Sequence, residues 1–113
     1  MNNGSTKRNR WNSLPKVEIQ SLPFGHLFRD INWNLCERGG RYKNRDDGPV
    51  FARCITDGVE CMYISNALVV PVRWQHEDEM SGISDEEYQL RFADSRVIDG
   101  VRMFPLEVVL CRA

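Results

Sequence analysis

The stretch that decides the fold runs from Pro49 to Trp74, PVFARCITDGVECMYISNALVVPVRW, the densest run of strand-forming residues in the chain. Asp57-Gly58 inside it is a hairpin signal, because a type I′ turn needs positive φ at both central residues and this pair tolerates it. A two-residue loop predicts Thr56 opposite Val59, Ile55 opposite Glu60, Cys54 opposite Cys61 and Arg53 opposite Met62. Alternation then places Ala52, Cys54, Val59, Cys61 and Tyr63 on one face and Phe51, Ile55, Met62 and Ile64 on the other. Both faces are apolar, so the hairpin is expected at the centre of a sheet, covered on both sides or twisted so that each face is buried over part of its length. Beyond Asn66-Ala67, Leu68 to Trp74 reads as a further strand. Pro71 has no N–H for a ladder, which assigns that strand to an edge or a bulge.

Towards the C-terminus, Gln75 to Gly82 (QHEDEMSG) lacks any apolar period and reads as an exposed acidic loop, with His76 a surface residue. Ile83 to Tyr88 is a helix start: Ser84 as N-cap, Glu87 reaching back from the third position, acids complementing the dipole, and Ile83 stapled to Tyr88. The helix is expected to end near Ala93, with Tyr88 and Phe92 packing together. Asp99-Gly100 repeats the hairpin signal and pairs Ile98 with Val101, Val97 with Arg102 and Arg96 with Met103. Phe104 to Cys111 closes the domain as a long strand.

Towards the N-terminus, Phe24, Leu27, Phe28, Ile31 and Leu35 fall at helical spacing, which predicts an amphipathic helix over Phe24 to Glu37, with Pro23 in its first turn and Gly39-Gly40 at its end. Its polar face carries Arg29, Trp33 and Glu37, with His26 and Asp30 beside them. An aromatic there, framed by charge, is the kind of residue that anchors a protein partner. Arg38 to Gly48 (RGGRYKNRDDG) reads as a loop in which Arg38, Arg41, Lys43 and Arg45 surround Tyr42. It is not a phosphate-binding glycine loop, since the G-x4-G-K-[ST] order is absent. Val17 to Gln20 is a short edge strand by alternation. Residues 1 to 14 form a flexible basic tail ahead of a single domain over 15 to 113, and Lys7, Arg8, Arg10 and Trp11 in it are suited to phosphates and a stacked base.

Residues 1 to 45 carry nine bases against three acids, and residues 46 to 113 six bases against thirteen acids, so a net charge of −1 conceals a split chain. No apolar run reaches the roughly 18 residues of a membrane span, and the polar N-terminus does not read as a signal peptide. The expected compartment is therefore the cytoplasm. Cys36, Cys54, Cys61 and Cys111 lack zinc-knuckle spacing and are expected as reduced, mostly buried thiols, with no metal or cofactor. No nucleophile elbow, metalloprotease helix or phosphate cradle is present.

These readings combine into an α+β fold: an antiparallel sheet of about five or six strands packed against one amphipathic helix and a second short helix. The leading functional expectation is a small non-catalytic protein that occupies a surface of a protein partner as adaptor, inhibitor or regulator, through Trp33, Arg29, Glu37 and His26. The alternative is nucleic-acid binding through Lys7, Arg8, Arg10 and Trp11 of the tail together with Arg38, Arg41, Tyr42, Lys43 and Arg45.

Overall fold

A computed structural model of the protein describes residues 10–107, so Lys7, Arg8 and Cys111 lie outside the described residues. The fold is α+β, built on an eight-stranded antiparallel sheet, more strands than the five or six expected from the sequence. Residues 10–13 are helical (α1). The strands are β1 (Val17–Glu18), β2 (Leu27–Arg29), β3 (Leu35–Arg41), β4 (Val50–Cys54), β5 (Glu60–Tyr63), β6 (Leu68–His76), β7 (Arg96–Ile98) and β8 (Val101–Glu107), with helix α2 (Asp85–Ala93) before β7. The described residues fall into two compact units: residues 10–72 with Glu107, and residues 73–106.

In the first unit the strand order is β5-β4-β3-β2-β6, and β1 lies against β6 through Val17 opposite Val69. Phe28, Cys36, Val50, Ala52, Cys54 and Val69 on the strands pack with Ile19 and Leu22 from the 3-10 turn after β1. Each large side chain so buried stabilises the fold by roughly 1.5–3 kcal/mol.

The predicted helix over Phe24 to Glu37 is not formed; a β-hairpin, β2 to β3, takes its place. The helical spacing was coincidental, because Phe24 and Ile31 are exposed while Leu27, Phe28 and Leu35 are buried. What overrides it is a cluster of turn formers. The Asp30 carboxylate accepts the Asn32 N–H at 3.0 Å and the Asn34 N–H at 2.9 Å, and Trp33 N–H bonds back to the Asp30 carbonyl at 2.8 Å. Trp33 itself turns the chain at φ 66°, a left-handed conformation unusual for a bulky residue. Gly39 and Gly40, expected to end the helix, lie inside β3, where the register shifts between Arg38 and Arg41.

The hairpin of β4 and β5 forms two residues out of the expected register, with Arg53 opposite Glu60, Ala52 opposite Cys61, Phe51 opposite Met62 and Val50 opposite Tyr63. Its turn is wider than Asp-Gly alone. Asp57 Oδ1 accepts the Val59 N–H at 2.9 Å, Gly58 N–H donates to the Cys54 carbonyl at 2.9 Å, and Ile55 N–H leaves the hairpin for the Leu35 carbonyl at 2.8 Å. A slip of two preserves the pleat, so the face assignments hold while the partners change. The hairpin is also not central: β5 ends the strand order, and its outer face is exposed at Met62. Conversely, β6 is flanked by β1 and β2 although Pro71 sits in it, buried opposite Phe28. β1 pairs only as far as Val69, so it asks for no donor at Pro71.

In the second unit the order continues from the end of β6 to β8 and β7. The Asp99-Gly100 hairpin has the predicted register, with φ of 53° and 81° at the two turn residues, the signature of a type I′ turn. Ser84 caps α2 by accepting the Glu87 N–H at 3.1 Å, but the Glu87 carboxylate pairs with Arg91 at 2.8 Å rather than closing a capping box. Tyr88 and Phe92 meet each other and Phe104. The acidic connector is a 3-10 turn, Glu77–Met80, which His76 caps, and Met80 is buried. No helix among the described residues is long and apolar enough to cross a membrane.

Candidate functional site

The residues expected to anchor a partner do not share one exposed surface in the β2–β3 hairpin. Trp33 and Arg29 are buried, Arg29 at 5 % exposure, so the expectation of an exposed Trp33 is overturned. The Arg29 guanidinium lies 5.0 Å from the Trp33 ring centroid, donates to the Trp33 carbonyl at 3.1 Å and stands 3.6 Å from Glu107. Arg10 reaches the same carboxylate at 3.5 Å. This cluster fixes the tight turn and ties α1 to it. His26 is half-buried at the start of β2, and its carbonyl accepts the Arg38 N–H at 2.8 Å. Glu37 alone of the four is exposed, opposite Arg53.

The turn is buttressed by a polar chain. Asp30 accepts the Tyr63 hydroxyl at 3.0 Å and the Asn34 side-chain amide at 3.1 Å, and Cys36 Sγ lies 3.7 Å from the same hydroxyl. Burial pushes the Cys36 thiol up to about 12, against the opposing pull of the Tyr63 hydrogen bond. Burial, then Cys36 and Asp30, push the Tyr63 hydroxyl up as well. Both stay protonated near neutrality. Their arrangement holds a turn, and it presents no ionised nucleophile.

The basic residues grouped by sequence do not form one gripping surface. Arg38 is buried on β3 and bonds to the Gly39 carbonyl; burial first, and then Arg41, draw its pKa down. Arg41 donates to the Gly48 carbonyl at 3.1 Å. Lys43 lies 5.3 Å from the Tyr42 ring centroid, and Arg45 pairs with Asp47 at 3.4 Å. In the tail, Trp11 is half-buried with the Lys16 ammonium 5.0 Å from its ring centroid. Among the described residues no group of three or more His, Cys, Asp or Glu is placed to hold a metal ion.

A different surface is assembled on the outer side of β3, β4 and β5. The Cys54 N–H donates to the Val59 carbonyl at 2.8 Å, so these two form a hydrogen-bonded pair. Alternation makes Arg53/Glu60 and Phe51/Met62 non-hydrogen-bonded pairs, whose side chains stand closest together. Their backbone N–H and C=O groups on β5 therefore point away from β4, into the open edge. On the outer face Phe51 and Tyr42 have ring centroids 6.2 Å apart, Met62 lies beside Phe51, and Ile64 follows at 69 % exposure. Beside this apolar patch runs a row of alternating charge, Glu37 opposite Arg53 and Arg53 opposite Glu60, the last two 3.5 Å apart.

Phe51, Met62 and Ile64 were legible only as one of two apolar faces. The signal that they are exposed lay in Glu60 and Arg53, which share their face and cannot be buried cheaply. No family profile, curated protein or solved structure matches this chain.

Proposed function

We propose that this protein is a non-catalytic binding module that takes an extended segment of a protein partner onto the open edge of β5. The observation that carries the reading is the edge itself. Among the described residues β5 pairs with β4 alone, and the backbone groups of Glu60 and Met62 face outward beside exposed apolar side chains. An open, apolar edge strand is a template for strand addition, in which main-chain hydrogen bonds supply affinity and alternate side chains supply specificity. The row Glu37–Arg53–Glu60 alternates in sign and ends on an anion, so an incoming strand carries a Lys or Arg opposite Glu60. Met62 calls for an apolar residue two positions away on the same face. An antiparallel ligand thus has an apolar residue followed, two positions on, by a base.

The test is selection from a library of eight-residue peptides, with binding of the selected peptides then measured for wild type and Met62→Pro. Proline at this position removes the outward N–H while costing no hydrogen bond to β4. Selected peptides are expected to carry the apolar-x-base pattern and to lose at least tenfold in affinity for the variant. Peptides without alternation that bind Met62→Pro equally well would refute strand addition. Self-association of the peptide-free protein that Met62→Pro abolishes would replace the foreign segment by a second copy.

A further inference from the structure

Three cysteines lie on the inner face of β3, β4 and β5, and two of them face each other. Cys36 and Cys54 are direct partners across β3 and β4. The Ile55 N–H donates to the Leu35 carbonyl at 2.8 Å, whereas the Cys54 N–H points the other way, to Val59. Alternation along the ladder makes Cys36/Cys54 a non-hydrogen-bonded pair. Such pairs hold their Cα atoms about 4.5 Å apart with side chains at closest approach, inside the roughly 4.4–6.8 Å that a disulfide spans. Cys61 is placed differently: it sits opposite Ala52, in a wider hydrogen-bonded pair, and meets Cys54 only on a diagonal of about 7–8 Å. All three thiols are free in the structure.

We infer that Cys36 and Cys54 form an oxidation site that closes into an intramolecular disulfide when a peroxide is supplied. Cys54, at 9 % exposure against 0 % for Cys36, is the entry point. Its sulfur attacks one peroxide oxygen, the O–O bond breaks, and a sulfenic acid and one water result. The Cys36 sulfur then attacks the Cys54 sulfur, the S–O bond breaks, and the hydroxyl leaves with the Cys36 proton as a second water. Two electrons pass from the pair of sulfurs to the peroxide. Cys36 is held as a thiol by burial, so this second step sets the pace. The new bond ties β3 to β4 behind Phe51 and takes the Cys36 sulfur out of its contact with the Tyr63 hydroxyl, which keeps Asp30 as its acceptor.

The test uses the full-length protein, reduced, then treated with hydrogen peroxide under native conditions, alkylated and mapped by mass spectrometry. A peptide pair joined through Cys36 and Cys54 is expected in wild type and in Cys61→Ser, with its absence in Cys54→Ser. The midpoint of thermal unfolding of the oxidised protein is expected to rise by roughly 10 °C, because the bond closes a loop of some 19 residues. Four alkylated thiols after oxidation, or a bridge through Cys61 or Cys111 in place of Cys36–Cys54, would overturn the assignment. So would a midpoint that falls, since a bond formed only by distorting the sheet is not one that the native register presents.

Discussion

Replacing Trp33 separates its two burdens, the buried ring and the left-handed backbone. Truncation of a buried tryptophan to alanine costs about 3–5 kcal/mol, and here it also strips the Arg29 guanidinium of the ring face 5.0 Å away. Trp33→Ala is therefore expected to lose about 4 kcal/mol. Trp33→Gly loses the same ring, but at φ 66° it no longer carries a Cβ in a conformation that costs an L-residue roughly 1–2 kcal/mol. Glycine should thus be the milder substitution by about 1 kcal/mol, the reverse of its usual standing against alanine. Urea unfolding followed by far-ultraviolet circular dichroism measures both. Trp33→Ala within 1 kcal/mol of wild type would remove the ring from the core and return it to the surface as a partner anchor. Glycine less stable than alanine would mean that the turn does not pass through positive φ.

Asp30→Ala deprives two backbone amides, the Asn34 side chain and the Tyr63 hydroxyl of their acceptor, and is expected to cost about 3 kcal/mol in the same assay. Alkaline unfolding reports Cys36. Its folded pKa is raised from 9.0 to about 12, so its contribution is complete below pH 9 and is lost as pH rises towards 12, on the order of 4 kcal/mol in all. Cys36→Ala, though less stable at neutral pH, should show a shallower decline across that window, and an unchanged slope would contradict the burial of the thiol. Tryptophan fluorescence during titration with single- and double-stranded DNA at two salt concentrations should stay flat. A salt-sensitive change that substitution of Arg41, Lys43 and Arg45 removes would instead favour the basic segment as a nucleic-acid surface.

Where local chemistry and pleat agreed, the chain was readable. Asp99-Gly100 has two residues at positive φ, and its hairpin forms in the expected register. Ser84 caps α2 because its hydroxyl oxygen stands where it accepts the Glu87 N–H, at 3.1 Å. Asp57-Gly58 carried the same signal, but the Asp57 carboxylate bonded to Val59 and the Leu35 carbonyl drew off Ile55, so the partners slipped while the faces stayed. The largest departure is Phe24 to Glu37. Five apolar residues at helical spacing outweighed Asp30, Asn32 and Asn34, although three such residues within five positions are turn chemistry that an amphipathic helix does not favour.

That departure carried the candidate site with it, since helical spacing exposes Trp33 and a tight turn buries it. The proposed partner surface lies instead on β5, whose position at the edge depends on strand order. Order is set by long-range pairing, and the alternation within Glu60 to Ile64 is the same for an edge strand as for a central one.

Strand addition on β5 is read by amide hydrogen exchange, residue by residue, in the presence of a selected peptide. Glu60 and Met62, whose N–H groups point away from β4, are predicted to gain protection on binding, while Cys61 and Tyr63, already bonded to β4, change little. Protection that appears at residues 42–45 and leaves Glu60 and Met62 exchanging as in the free protein would contradict strand addition on β5.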